Sequence, residues 1–184
     1  MKLFAAKCIS FIALPVWLPF FISLILQQGM FWAILSALLI LSFIIFYKKI
    51  GWLTSLHLST RAERLLPLAT SVIVYLTFSF LCQWHLSQMY QVFLLATLTV
   101  SSLYLATLWD KISIHTAGIA ASLMWINEYY SWQWASVMIA TLVLAAVIWA
   151  RLYLKAHNLK QIIMGFGIGT ASYMMLYLVK PFLY

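Results

Sequence analysis

Long apolar runs separated by short polar breaks repeat along this chain from one end to the other. Seven runs can be read, at about 9–26, 30–47, 66–84, 89–109, 113–126, 134–152 and 162–179. A helix that crosses a bilayer needs about 20 apolar residues. Seven such helices take up most of the 184 residues and leave no room for a soluble domain. Only 8% of the residues are charged and 66% are hydrophobic, whereas a soluble domain carries about 25% charged residues. So few charges cannot cover a globule, which excludes a soluble enzyme, a nucleic-acid-binding module and a disordered segment. The expected fold is therefore all-α: a polytopic integral membrane helix bundle of about seven (six to seven) transmembrane helices. One membrane domain is expected over 1–184, with an N-terminal helical hairpin over 1–49 and a helical core over 50–184.

The first run follows Lys2 and Lys7 and resembles a signal peptide at first sight. It is too long, however, and ends at Gln27-Gln28 without a small-residue cleavage site, so it reads as a retained anchor. Pro15 and Pro19 are expected to kink it. The longest polar connection runs from Lys48 to Arg64, and Pro67 suits the first turn of the helix after it. Ser113 can cap the fifth run. Asn127 to Tyr130 read as a turn, with Glu128 in solvent. Trp52, Trp84, Trp109, Trp132, Trp134 and Tyr153 stand near run ends, where interfacial aromatics belong. Gly165, Gly167 and Gly169 give the last run a small-residue face for close packing. Cys8 and Cys82 sit inside apolar runs and read as small apolar residues.

Seven helices alternate sides of the membrane. The side that holds the N-terminus then receives ten of the eleven Lys and Arg residues, all but Lys180. The positive-inside rule makes that side cytoplasmic. The same alternation brings His57, His115 and His157 to one face, together with Glu63 and Asp110. Polar groups at membrane depth usually face a functional cavity, and His115 and Arg151 lie at run ends rather than in loops. Arg and Lys bind phosphate oxygens, Arg as a rigid fork. A helix N-terminus such as Ser113–Thr116 offers further N–H groups to an anion. A histidine beside bound phosphate can attack phosphorus while a second protonates the leaving oxygen. These residue types on one face point to phosphoryl transfer without a metal.

Residues 150–161 read A-R-L-Y-L-K-A-H-N-L-K-Q, followed by I-I-M-G. This resembles the third motif, S-R-x5-H-x3-D, of the type 2 phosphatidic acid phosphatases, a lipid phosphatase and haloperoxidase-like superfamily. Residues 112–116, I-S-I-H-T, resemble its second motif, P-S-G-H. Residues 61–67, R-A-E-R-L-L-P, stand where its first motif, K-x6-R-P, belongs, and are basic without matching it. The resemblance covers 61–169 in order and spacing. It implies that 50–184 is a phosphatase-like core, with His157 as the nucleophile forming a phosphohistidine and His115 as the general acid. Arg151, Ser113, Arg64 and Arg61 would hold phosphate, with Lys111 in addition. Four motif positions depart: Ala150 for Ser, Ile112 for Pro, Ile114 for Gly, and Gln161 for the Asp that orients the nucleophile. Gln161 would take over the orienting role, with Asp110 or Glu63 as substitutes.

The function expected on these grounds is a membrane-embedded phosphatase of lipid phosphates or pyrophosphates, needing no metal and no other cofactor. The alternative is a member of the same family that has lost catalysis and serves as a lipid-binding or complex-stabilising membrane subunit. A haem-b or transport protein is a third reading, with His115 and His157 as the haem ligands. The expected partners are membrane lipids, the phosphate-bearing ones as substrate, and not nucleic acid. A homo-oligomer or a membrane-complex partner stays open. The expected location is the bacterial inner membrane, with the motif face cytoplasmic.

Overall fold

The computed structural model describes residues 2–54, 58 and 60–182. The described residues form eight α-helices and no strand: α1 (Lys2–Ile12), α2 (Leu18–Leu26), α3 (Met30–Lys49), α4 (Ala62–Cys82), α5 (Ser87–Thr107), α6 (Ile114–Tyr129), α7 (Trp134–Tyr153) and α8 (Leu159–Val179). Single 3-10 turns stand at Pro15–Trp17 and Lys180–Phe182. Five helices are long and apolar enough to cross a membrane: α3, α4, α5, α7 and α8. The bent pair α1 and α2 makes up to six if it counts as one span. These helices mark a membrane protein. The fifth run forms α6, whose 16 residues rise about 24 Å, short of a hydrocarbon core about 30 Å thick.

The first run does more than kink. Pro15 has no N–H, and Leu14 before it takes an extended conformation (φ −58°, ψ 127°), as a residue preceding proline prefers. The run therefore breaks into two helices that diverge by 49°. The helix after the long polar connection also starts earlier than Pro67 suggests. Thr60 and Glu63 form a reciprocal cap: the Glu63 N–H donates to Thr60 Oγ1 at 3.4 Å, and the Thr60 N–H donates to Glu63 Oε2 at 3.2 Å. Such a pair starts a helix at once. Pro67 consequently lies inside α4, where it cannot donate to the Glu63 carbonyl.

Contacts group the chain into two units. The continuous unit is Pro19–Lys111. Within it α4 and α5 pair antiparallel across a short turn, and α3 packs on α4. Phe78 meets Trp32 and Phe93, with ring centroids at 6.0 and 5.5 Å. Hydroxyls on these helices bond back one turn, as Ser71 does to the Pro67 carbonyl and Thr97 to that of Phe93, both at 2.8 Å. That satisfies polar groups where no water is available.

The split unit holds the chain up to Leu18 and from Ile112 onward. Here α6 lies along α8, while α1 and α6 both pack on α7. Helices α6 and α8 run parallel in a fixed register. A Cβ on Gly165 would come within 2.6 Å of the Ser113 carbonyl oxygen, and one on Gly169 would overlap the Ala117 carbonyl. Further along, Lys180 Nζ meets Glu128 Oε1 at 2.8 Å. Each pair is 52 positions apart in sequence. Glu128 is thus held in a helix by an ion pair rather than standing in a turn, because α6 continues through Tyr129. Of the small-residue face, Gly165 and Gly169 serve the close approach. Gly167 has open space where its Cβ would be.

Candidate functional site

The split unit carries five of the expected site residues: Ser113, His115, Arg151, His157 and Gln161. His157 lies in the turn between α7 and α8 and is 6% exposed. That turn is closed by backbone bonds from Ala156 N to the Arg151 carbonyl at 3.1 Å and from Lys155 N to that of Leu152 at 2.9 Å. Lys155 takes a left-handed conformation (φ 50°) to allow it. Asn158 then caps α8. Its Oδ1 accepts from Gln161 N at 2.9 Å, and Gln161 Oε1 accepts from Asn158 N at 3.4 Å. The same Gln161 oxygen lies 2.9 Å from His157 Nδ1. An amide oxygen only accepts, so Nδ1 carries the proton and a neutral His157 keeps its lone pair on Nε2.

Ser113 begins α6 and is fully buried. Its hydroxyl caps the helix by accepting from Thr116 N at 3.4 Å, and it pairs with Thr116 Oγ1 at 2.8 Å. The Ser113 N–H donates to the Gln161 carbonyl at 3.2 Å. The first turns of α6 and α8 are therefore bonded backbone to backbone, a contact that requires Gly165. The Ser113 hydroxyl is engaged within its own cap, so a ligand there competes with Thr116.

His115 and Arg151 both turn to Ser10, in the last turn of α1. Arg151 Nη1 donates to Ser10 Oγ at 2.5 Å, and His115 Nε2 lies 3.2 Å from the Ser10 carbonyl oxygen. Arg151 Nε is buried and has no hydrogen-bond partner among the described residues. Ser10 was not singled out by the sequence. A serine inside an apolar run carries no local signal of such a role.

The other expected site residues belong to the continuous unit. Arg61 Nη1 donates to the Trp109 carbonyl at 3.0 Å, where a cation completes the C-terminal end of α5. Arg64 is 4% exposed and donates from Nε to the Leu58 carbonyl at 2.9 Å. Each bond uses one of the five N–H donors of a guanidinium. Asp110 Oδ1 accepts from the Lys111 N–H at 2.6 Å. Glu63 Oε1 takes the N–H and hydroxyl of Thr54 at 2.6 and 2.5 Å, and Oε2 takes the Thr60 hydroxyl at 3.0 Å. Its carboxylate organises the connection before α4. The sequence signature Thr60-x-x-Glu63 could have found this pairing. His57 lies outside the described residues. Among those described, no three His, Cys, Asp or Glu side chains group as metal ligands.

No family model matches the chain, and neither the search of curated proteins nor that of solved structures finds a match.

Proposed function

We propose that the chain is a membrane-embedded phosphatase of lipid phosphates or pyrophosphates, a divergent relative of the type 2 phosphatidic acid phosphatases. The observation that carries this reading is the bond from Ser113 N to the Gln161 carbonyl. It joins the two segments that resemble the family's second and third motifs. In this reading His157 Nε2 attacks phosphorus. The bond from phosphorus to the leaving oxygen breaks, and His115 supplies that oxygen with a proton. Water then attacks the phosphohistidine, returns a proton to His115 and frees phosphate. Arg151 and Ser113 bind phosphate oxygens. Gln161 orients His157. The proposal includes seven membrane crossings, with α6 as a short one, a single membrane domain, and the motif face in the cytoplasm of a bacterial inner membrane.

A second reading rests on Gln161 itself. Its amide fixes the tautomer of His157 but cannot stabilise an imidazolium as a carboxylate does. Removing the orienting carboxylate of a serine-protease triad costs about 10⁴ in rate. The chain would then bind lipid phosphate without turning it over, as a subunit of a membrane complex.

Phosphate release in detergent micelles with EDTA separates the two. The panel is phosphatidic acid, phosphatidylglycerol phosphate and a polyprenyl pyrophosphate, with His157→Ala as control. Release by the wild type that His157→Ala abolishes is the expected result. Equal release by both proteins would reject the nucleophile. Absence of release by a folded wild type would leave the binding reading.

A further inference from the structure

Two residues of the proposed site, His115 and Arg151, meet on a helix that lies outside every segment of the family resemblance. The break at Pro15 explains why. In an uninterrupted helix the Ser10 carbonyl would accept from Leu14 N. Here Leu14 N donates to the Phe11 carbonyl instead, at 3.2 Å. The Ser10 carbonyl is thereby released, and His115 Nε2 takes it. A carbonyl only accepts, so this contact places a proton on His115 Nε2. The Ser10 hydroxyl holds Nη1 of Arg151. The Arg151 Nε–H, on the other edge of the planar guanidinium, is buried without an acceptor among the described residues. A buried donor in that state calls for an acceptor, and an oxyanion suits a guanidinium edge.

We propose that Ser10 is a positioning residue for a phosphate-class oxyanion. Its hydroxyl fixes the guanidinium of Arg151 so that the Nε edge meets the anion. Its carbonyl holds the Nε2–H of His115 and fixes the ring, so that the proton for the leaving oxygen comes from Nδ1 of the imidazolium. The N-terminal half-helix is thereby part of the site. The inference rests on the phosphatase reading and names the element that orients its arginine and its acid.

The test uses the full chain in detergent. Inorganic phosphate binding is measured by titration calorimetry, and steady-state release is measured with phosphatidic acid. Ser10→Ala removes the hydroxyl and keeps the carbonyl. It is expected to weaken phosphate binding and raise KM about tenfold, with kcat near that of the wild type. Ser10→Thr keeps a hydroxyl and is expected to restore both. Pro15→Ala returns a donor to the helix end, so it is expected to lower kcat and leave phosphate affinity in place. Wild-type affinity and KM in Ser10→Ala, beside lost binding in Arg151→Ala, would overturn the role of Ser10 while sparing the phosphatase reading. Equal losses in Ser10→Ala and Ser10→Thr would mark a packing role and also overturn it. A folded wild type that neither binds nor releases phosphate would overturn both.

Discussion

Gln161 presents its amide oxygen 2.9 Å from Nδ1 of His157, one helical turn earlier in the chain. A carboxylate at the same place would hold the ring equally and also stabilise its cationic form. Gln161→Asp is therefore expected to raise phosphate release at least about tenfold, a fraction of the effect of the orienting Asp in a protease triad. The shorter side chain costs the Asn158 N–H its partner, so a small loss of melting temperature should accompany the gain. Rates in EDTA, compared with wild type and His157→Ala, check this. An unchanged rate would mean that His157 does not become charged during turnover.

The approach of α6 to α8 predicts a contrast among three glycines. Gly165→Ala and Gly169→Ala force a methyl against backbone carbonyls and should each cost about 1–3 kcal/mol. Gly167→Ala meets open space and should be neutral or stabilise by up to about 1 kcal/mol. Thermal unfolding in detergent gives the three values. Equal losses at all three positions would contradict the parallel register.

The Thr60 and Glu63 pairing holds the chain before α4 against local opening. Thr60→Ala removes the cap and should cost about 1 kcal/mol. Trypsin cleavage after Arg64, which is buried in the folded chain, should then run about fivefold faster. Identical nicking of the two proteins would show that the cap does not limit opening.

Glu128 and Lys180 tie the far ends of α6 and α8. A double-mutant cycle with Glu128→Gln and Lys180→Met should give a coupling of about 0.5–1 kcal/mol that shrinks with added salt. A coupling of zero would place the register in the glycine contacts alone.

Orientation is open to a direct measurement. Single cysteines at Ser87 and Lys160, in a background carrying Cys8→Ser and Cys82→Ser, are treated in intact cells with an impermeant thiol reagent. The proposed topology expects labelling at 87 and not at 160. The reverse pattern would put the motif face outside.

What could be read in the sequence was what depends on neighbours in the chain. The apolar runs mark α3, α4, α5, α7 and α8 because a span is a local property of about 20 residues. The Ser113 cap was legible for the same reason, since its acceptor and donor are three residues apart. The Thr60 cap was equally local, yet Pro67 drew the helix start the wrong way. Glu128 looked like a turn residue because its partner, Lys180, lies 52 positions away. Ser10 gave no signal at all. Its role depends on a missing N–H at Pro15 and on two side chains more than a hundred residues further on. Arg61 and Arg64 could be recognised as basic residues near the membrane, but not their bonds to the Trp109 and Leu58 carbonyls, which arise only once α5 and the preceding connection are in place.

The pairing of α1 with α7 also constrains how the protein is made. About 120 residues separate the end of α1 from the start of α7. At translation speeds of about 5–20 residues per second, the first half-helix emerges roughly 6–24 s before its partner exists. Throughout that interval the entire continuous unit is being synthesised, and it has all its own helices before α7 exists. The nascent chain thus carries a Ser10 carbonyl without its His115 partner until the ribosome has passed residue 115, and a half-helix without α7 until it has passed residue 134. Whatever guides insertion must hold that segment ready for α7 in the meantime.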